Sequence, residues 1–352
     1  MTDALRRLEE QIRAAASAGR PLRIRGRGTK DFYGGALAGE PLETQDLAGI
    51  LDYEPTELVI SARAGTPLEQ IERALAAHGQ MLGCEPPRFG GATLGGAVAS
   101  GLNGPRRAYR GALRDFVLGV ELIDGRGTRA RFGGRVIKNV AGFDVSRLMA
   151  GSLGTLGVLT AITLKTLPCP ACECTLRFEM DQDRALESMS RWAMRPLPVS
   201  ATLWQTGVLH VRLSGAEGAV GAACRSLGGE AWDAGERFWE EVREQRLPLF
   251  GAAEELWRIS LPARAPALAL PAPVLLEWGG ALRWLPGPLD VRTVRETCVA
   301  LGGYATLYRA AVKPAEGPFP PLPASLLALH RRLKAAFDPQ HILNRGRLHP
   351  DF

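Results

Sequence analysis

The spacing of hydrophobic positions divides the first part of the chain into recognisable elements. Residues 3–18 are amphipathic with helical spacing, which predicts an N-terminal helix that ends before Gly19. Residues 57–64 form an apolar run that is typical of a strand. The Thr-Pro-Leu-Glu tetrapeptide at 66–69 then predicts a capping box and a helix over 67–78.

Glycine interrupts this pattern throughout residues 86–165. The stretch predicts, in order, a small-residue helix over 93–100, a hairpin over 115–131, a loop over 136–144 with Lys138, Asn139 and Asp144, a short helix over 145–150 and a strand over 158–167. Its two clusters of glycine are Gly90, Gly91, Gly95, Gly96, Gly101 and Gly104, then Gly142, Gly151, Gly154 and Gly157. Glycine is favoured where backbone takes φ > 0 or closely approaches a ligand, so the clusters indicate a backbone-built anion site, with a dinucleotide favoured.

From residue 171 onward, strand-like and helix-like patterns alternate, which predicts an α+β module with helices on one sheet face. The strands are predicted at 174–180, 203–212, 256–260, 274–278 and 281–284, and the helices at 183–192, 218–227 and 290–301. All seven tryptophans lie in this region, where core packing is their expected role. After a proline-rich linker at 314–323, a helix over 326–337 ends at Asp338-Pro339, and residues 344–346 form a turn.

Composition adds a size limit and excludes several classes of protein. The 352 residues exceed one ordinary hydrophobic core, so we expect two domains or one domain with a large insertion. The chain has no apolar run long enough for a transmembrane helix and no secretory signal pattern, so we expect a cytoplasmic protein. The net charge of +6 comes from arginines mixed with acidic residues, so nucleic-acid binding is not expected.

Six cysteines are scattered along the chain, which does not favour a disulfide scaffold. Cys169, Cys172 and Cys174 have the spacing of a metal-binding corner or are small residues in a linker. A four-thiolate site needs one more ligand, and the other cysteines are isolated in sequence. We therefore predict no metal site.

Residues 21–29 predict a short strand that runs into the first glycine-rich turn. Gly26 and Gly28 resemble the start of a Rossmann fingerprint, but Asp31 occupies the third glycine position and no long helix follows. A phosphate-binding turn of successive backbone N–H groups is the alternative, with charge from Arg25, Arg27 and Lys30; a plain surface turn also stays open.

The helix predicted at 93–100 consists almost entirely of small residues. Its N-terminus offers unpaired N–H groups and a partial positive charge, which suit an anion. Close packing against another element also favours small residues. The anion site is the favoured interpretation.

The order of these elements resembles that of the FAD-linked oxidases of the vanillyl-alcohol-oxidase type. The elements are the turn at 24–30, VISARAGTPLEQIERAL, PPRFGGATLGGAVASGLNG, KNVAGFDVSRLMAGSLGTLGVLTAITLK and FDPQHILNRGRL. Within the family, the chain resembles the FAD-binding E subunits of bacterial glycolate oxidases over nearly its whole length. The resemblance implies an α+β fold: a two-subdomain FAD-binding domain at 1–170, an α+β cap domain at 171–312 and a C-terminal segment at 313–352 that returns to the FAD domain.

The resemblance also implies which residues bind FAD. The first turn and the second glycine loop would hold the pyrophosphate, the third glycine loop would lie near the ribose and adenine or line the cofactor tunnel, and Asn344 would approach the isoalloxazine. The implied cofactor-binding residues are Arg25, Gly26, Arg27, Gly28, Thr29, Pro87, Gly90, Gly91, Thr93, Gly95, Gly96, Gly101, Asn103, Gly151, Ser152, Gly154, Gly157, Val158 and Asn344.

Three departures from the family pattern qualify these expectations. The first turn has no histidine to bind flavin covalently, so we expect noncovalent FAD, although Cys84 lies near the second loop. Arg345 stands where relatives have proline after Asn344, so the turn loses a fixed φ. The histidines do not cluster as in metal-dependent relatives; His210 is the only candidate for a histidine base, and the catalytic residues stay unassigned.

The function that the resemblance implies is oxidation of glycolate, a 2-hydroxy acid, to glyoxylate through FAD. The chain would work as one subunit beside a second flavoprotein subunit and an iron–sulfur subunit that accepts electrons, with peripheral attachment to the inner face of the membrane through these partners left open. Two alternatives remain: a stand-alone FAD-dependent dehydrogenase of another small hydroxy acid, and a structural subunit with a vestigial flavin site.

Overall fold

The computed structural model describes residues 2–134 and 143–352, so most of the loop predicted at 136–144, with Lys138 and Asn139, lies outside the described residues. The chain divides into two compact units. The first contains Met1–Leu102, Ala112–Pro168 and Lys313–Phe352, and the second contains Asn103–Gly111 and Cys169–Val312. The sequence had placed residues 103–111 in the FAD domain, whereas the structure groups them with the second unit.

Helices and strands are both plentiful in the described residues, as expected for an α+β protein. The helices are α1 (Thr2–Ala18), α2 (Leu68–Ala76), α3 (Leu94–Ser100), α4 (Arg107–Arg110), α5 (Leu113–Phe116), α6 (Val145–Leu148), α7 (Gln182–Ala193), α8 (Glu217–Leu227), α9 (Gly235–Arg243), α10 (Pro248–Ala252), α11 (Val291–Ala300) and α12 (Ala324–Phe337). The strands are β1 (Leu22–Arg25), β2 (Glu40–Glu43), β3 (Ile50–Glu54), β4 (Val59–Arg63), β5 (Gln80–Met81), β6 (Val117–Ile123), β7 (Arg129–Gly133), β8 (Val158–Lys165), β9 (Leu167–Pro168), β10 (Cys172–Glu179), β11 (Val199–Gln205), β12 (Val208–Gly215), β13 (Glu230–Ala231), β14 (Leu256–Ser260), β15 (Leu275–Glu277), β16 (Leu282–Pro286) and β17 (Tyr304–Arg309).

The N-terminal part of the first unit is built around the short strand β1. It pairs in parallel with β2 on one side. On the other side, the Leu22 N–H donates to Ile342 O, and the Asn344 N–H donates to Leu22 O. The apolar face of α1 packs onto this arrangement in a cluster that also contains Leu343. The C-terminal segment is thus hydrogen-bonded into the N-terminal part of the first unit.

The remainder of the first unit is an antiparallel five-stranded sheet with the order β3-β4-β8-β6-β7. Helices α2 and α3 bury their apolar residues against it in one cluster. The predicted capping box on α2 is wrong, because Thr66 Oγ1 accepts from the Gly49 N–H and donates to Gly49 O, while Pro67 occupies the N-cap. The Thr66 hydroxyl thus joins two loops instead of capping the N-terminus of α2.

The second unit contains an eight-stranded antiparallel sheet with the order β13-β10-β12-β11-β15-β16-β14-β17. The single strand predicted at 203–212 is wrong. The chain turns at Thr206 and Gly207, both at positive φ, and forms the β11–β12 hairpin. A two-residue turn with two positive φ values matches the twist of the flanking strands, and the Thr-Gly pair was a weak signal for it. Helices α7 and α8 pack on the face that carries Leu209, Val211 and Leu213.

Candidate cofactor site

A cleft in the first unit begins where β1 ends. The backbone N–H groups of Gly26, Arg27, Gly28 and Thr29 make no hydrogen bond within the described residues. Gly28 has φ +69°, a conformation that favours glycine. Four consecutive unpaired donors are suited to an anion such as a phosphate, whose oxygens accept several hydrogen bonds at once. This geometry fits the phosphate-binding interpretation of the turn.

Helix α3 forms a second wall of the cleft. Thr93 caps the helix, with its Oγ1 accepting from the Gly96 N–H at 3.2 Å. A Cβ atom on Gly26 would lie 2.7 Å from Thr93 Oγ1, so only glycine permits the turn and the helix to approach this closely. Gly95 packs against Ala64, where a Cβ would come within 3.0 Å of the Ala64 O atom, while Gly96 lines the cleft. Close packing therefore accounts for Gly95, which also lines the cleft, and the anion site at the start of α3 stays a prediction.

Asn344 joins three segments of the cleft. Its Oδ1 accepts from the Ile24 N–H at 2.7 Å, and its Nδ2 donates to Leu153 O at 2.6 Å. A Cβ on Gly154 would lie 2.6 Å from Asn344 Nδ2. Asn344 itself has φ +43°, which asparagine tolerates better than most residues. The amide group thus fixes the distance between the first turn and the third glycine loop.

A fully buried ion pair lies behind Asn344. Lys334 Nζ donates to Asp338 Oδ2 at 2.7 Å, to Thr155 O at 2.7 Å and to Leu343 O at 2.8 Å. Asp338 also accepts from the backbone N–H groups of Ile342 and Leu343. Burial lowers the pKa of Lys334, and the Asp338 carboxylate opposes that shift. The pair joins α12 to the residues directly before Asn344 and directly after Gly154.

Arg347 holds the chain that follows the first turn. It is buried, and its guanidinium donates to the carbonyl oxygens of Lys30, Asp31, Tyr33 and Gly35. Burial lowers its pKa, with Asp31 opposing the shift. The sequence analysis did not identify Arg347. Its position three residues after Asn344, in a segment expected to return to the FAD domain, was the available signal.

The residues predicted to bind the cofactor fall into two groups. Those that line the cleft are Arg25, Gly26, Arg27, Gly28, Thr29, Thr93, Gly95, Gly96, Gly154, Gly157 and Asn344. The residues Pro87, Gly90, Gly91, Gly101, Gly151, Ser152 and Val158 are not among its lining. Gly101 ends α3 at φ +63°, and Val158 is buried at the start of β8, so each has a structural role. Asn103 lies in the second unit, and the cofactor contacts of all these residues stay predictions.

The two chemical candidates of the second unit are a histidine and a cysteine cluster. His210 is buried and stacked on Phe238, with ring centroids 4.3 Å apart. Desolvation, with a smaller effect from Arg177, lowers its pKa to about 4, which keeps it neutral near pH 7. Cys174 is hydrogen-bonded to Cys224, and burial raises its pKa to about 11. Within residues 2–134 and 143–352, no three His, Cys, Asp or Glu side chains are grouped as metal ligands.

The cleft therefore fits a large anionic cofactor held mainly by backbone. Gly26 lets the first turn approach Thr93 at the start of α3, and the residues whose N–H groups make no hydrogen bond in the described part of the chain, Gly26 to Thr29, line the cleft. The comparison with protein families agrees, because residues 5–133 match the family described as "FAD binding domain". The class of protein defined by fold and site is thus that of the FAD-binding flavoproteins.

The curated relatives give a narrower assignment. The chain is 47% identical to the glycolate oxidase subunit GlcE of Escherichia coli (strain K12), over 98% of this chain and 97% of that protein. The chain belongs to the FAD-linked oxidase family and, within it, to the group that contains GlcE. Glycolate oxidase subunit GlcD of Bacillus subtilis (strain 168) is 32% identical over 44% of this chain and 34% of its own length. D-lactate dehydrogenase of Archaeoglobus fulgidus is 34% identical over 42% of this chain and 33% of its own length.

Solved structures support the fold. Alkyldihydroxyacetonephosphate synthase matches with a TM-score of 0.67 and 14% identity, over 96% of this chain and 73% of that one. At this identity the likeness concerns the fold alone. None of the described helices is long and apolar enough to cross a membrane.

Proposed function

We propose that the chain is the FAD-binding subunit of a glycolate oxidase complex that oxidises glycolate to glyoxylate. The observation that carries the proposal is the similarity to GlcE over 98% of this chain, and the glycine-lined cleft in the first unit supports it. A GlcD-like second flavoprotein subunit and an iron–sulfur subunit would be its partners, and these would attach it peripherally to the inner face of the membrane.

The residues of the cleft have separate roles in this proposal. The N–H groups of Gly26 to Thr29 would bind the pyrophosphate of FAD, and Asn344 and Arg347 would keep the surrounding backbone in place. The lining of the cleft in the described residues contains no histidine or cysteine, and Cys84 is 1% exposed within an apolar cluster. These surroundings support noncovalent binding.

Bound FAD would supply a two-electron acceptor. A hydride would leave the carbon that bears the glycolate hydroxyl, the hydroxyl proton would go to a base, and the two electrons would later pass to the iron–sulfur partner. Because His210 is packed among aromatic rings and held neutral with a low pKa, it is not assigned as that base.

The test is anaerobic reduction of the flavin in the full chain. The purified chain is loaded with FAD, glycolate is added without oxygen, and the visible flavin absorbance is followed with and without the partner subunits. We expect bleaching that requires the complex. An absence of flavin binding by the full chain would overturn the proposal in favour of a structural subunit.

A second candidate is suggested by the partial relatives, among which D-lactate dehydrogenases recur. Under that alternative, the chain alone would oxidise a different 2-hydroxy acid. Bleaching by D-lactate without partner subunits, and none by glycolate, would favour it.

A further inference from the structure

The proposed chemistry does not account for one groove on the second unit. It lies between α7, the end of β10 and the C-terminal end of α8, and its volume is about 400 Å³. Its floor is aromatic. The ring centroids of Phe178 and Trp192 lie 5.2 Å apart, and the angle between the ring planes is 47°. Three exposed arginines, Arg184, Arg191 and Arg195, stand along its rim.

The three arginines have no acidic partner. Arg191 donates to Ser188 Oγ at 3.4 Å, and Arg195 donates to Ser226 Oγ at 2.6 Å. No carboxylate in the part of the chain that the structure describes forms an ion pair with any of the three. Glu187 is the only acidic side chain in the lining, so the groove carries a net positive charge.

Two other exposed arginines of the second unit are each paired on their own helix. Arg237 contacts Glu241 at 3.1 Å, and Arg292 contacts Glu296 at 2.7 Å, each one helical turn away. Within α7, the residue four positions after Arg184 is Ser188, whereas Arg195 lies beyond the end of the helix at Ala193. Glu187 is one turn from both Arg184 and Arg191 but forms no ion pair with either in the described residues. The groove therefore has three arginines and one carboxylate, whereas Arg237 and Arg292 are each neutralised on their own helix.

The spacing of the arginines favours an extended ligand over a compact one. With a rise of about 1.5 Å per residue, Arg184 and Arg191 are separated by about 10 Å along α7, and Arg195 follows two residues after the helix ends at Ala193. Alternate side chains of an extended peptide lie about 7 Å apart on one side of the strand. Successive acidic side chains could therefore each meet one guanidinium, whereas a single phosphate would engage one or two.

We propose that this groove docks an extended acidic segment of a partner protein, with carboxylates on the three arginines and an apolar side chain on Phe178 and Trp192. The proposal rests on the proposed function as a complex subunit, since that function requires a partner. Guanidinium–carboxylate pairs are charge-assisted and can be bidentate, and arginine and aromatic residues are enriched in protein interfaces.

The first experiment measures binding of a fluorescein-labelled octapeptide of alternating Asp and Leu to the full FAD-loaded chain by fluorescence anisotropy. The groove variant is Arg184→Gln/Arg191→Gln/Arg195→Gln. The matched control is Arg6→Gln/Arg7→Gln/Arg246→Gln, which removes three exposed arginines without a carboxylate partner elsewhere in the described chain. We expect the groove variant to bind at least about tenfold more weakly than the wild type, and the control to stay within about twofold.

Salt and small anions identify the kind of ligand. Wild-type binding should weaken as ionic strength rises, and the groove variant should lose most of that dependence. Equal binding by the two triple variants, or no saturable binding to the wild type, would overturn the proposal. Displacement of the peptide by an equal concentration of inorganic phosphate or ADP would also overturn it and indicate a small-anion site.

The second experiment measures assembly with the partner subunits by size-exclusion chromatography. The groove variant should keep the flavin spectrum and melting temperature of the wild type but assemble at least about tenfold less tightly. Undiminished assembly overturns the docking proposal. If the wild-type chain binds no FAD, the proposed function is contradicted. The peptide measurement on the same chain still shows whether the groove binds an acidic segment. The single variant Arg191→Gln serves if the triple variant unfolds, with an intermediate loss expected.

Discussion

Cationic side chains are used in opposite ways in the cofactor cleft and in the arginine groove. Arg347, which lines the cleft, and Lys334, which lies behind Asn344, are buried and donate to backbone carbonyl oxygens. In the groove, Arg184, Arg191 and Arg195 are exposed and have no carboxylate partner in the described residues. Lys334 and Arg347 shape the backbone that would bind the cofactor, while Arg25, Arg27 and Lys30 also line the cleft. In our proposal, the arginines of the groove are themselves the binding groups.

This difference separates stability from affinity. Removing a buried cation that holds several backbone groups should damage both the fold and the cofactor site, because the groups it bound are left without partners. Removing an exposed cation without a partner should leave the fold intact and change only ligand binding. The variants below test that distinction, in order of decreasing effect.

Lys334→Met should produce the largest loss. It leaves Asp338 as an unpaired buried carboxylate, which costs about 3–5 kcal/mol of unfolding free energy. Urea denaturation of the apoprotein measures the loss. If it is below about 1 kcal/mol, the buried pair does not hold the C-terminal segment and the contrast with the groove disappears.

The double variant Lys334→Met/Asp338→Leu separates packing from positioning. An apolar pair can replace a buried ion pair at little cost, so most of the lost stability should return. The hydrogen bonds to Thr155 O and Leu343 O do not return. We therefore expect FAD affinity to stay about tenfold weaker than in the wild type, as measured by flavin fluorescence. Full recovery of affinity would reduce the pair to a packing role.

Acid should destabilise the second unit through His210. Its pKa is about 4 in the folded chain and about 6.5 when unfolded, so folding favours the neutral ring. The stability contributed by the neutral ring is complete above pH 6.5 and is lost as the pH falls towards 4, by roughly 3 kcal/mol in total.

The variant His210→Phe provides the control, because its ring stays within the aromatic cluster with Trp232 and Phe238 and does not titrate. Urea denaturation is measured for both proteins from pH 7.5 to 4. The wild type should lose more stability than the variant over this interval. Parallel pH profiles would contradict the low pKa of His210.

Asn344→Asp should have a smaller effect, centred on the cleft. The substitution keeps the acceptor for the Ile24 N–H but replaces the Nδ2 donor to Leu153 O by a carboxylate oxygen. A lost hydrogen bond to a buried carbonyl costs about 1–3 kcal/mol. Isothermal titration with FAD should show weaker binding, and thermal unfolding a moderate loss. Unchanged FAD affinity would show that the first turn and the Gly154 loop need no link through Asn344.

The features that the sequence could reveal are those with a local physical cause. Gly26, Gly28 and Gly154 are required by a close approach or by a positive φ, and such requirements appear as glycine clusters. The helical spacing at the N-terminus likewise predicted α1, whose apolar face is buried. The order of these elements then carried the family resemblance, and the resemblance supplied the domain arrangement, which local patterns do not specify.

The features that the sequence did not reveal depend on distant contacts. Arg347 and its acceptor Asp31 are 316 residues apart, so neither residue marks the other in the sequence. The Lys334–Asp338 pair has the i,i+4 spacing of an ordinary surface pair, and only its burial distinguishes it. Thr66 had a helix-capping pattern, but the neighbouring Gly49 backbone captured its hydroxyl through tertiary contact.

The smallest effect is expected from two exposed arginines of the second unit. Arg237→Gln removes a surface pair with Glu241 and should cost about 0.3–0.5 kcal/mol. Arg191→Gln breaks no ion pair of the described residues, so the unfolding free energy should change by less than it does for Arg237→Gln. Urea denaturation of both variants at low and at high salt provides the comparison. A loss for Arg191→Gln equal to that for Arg237→Gln would mean that the groove arginine already contributes to the fold, and its availability to a partner would then be in doubt.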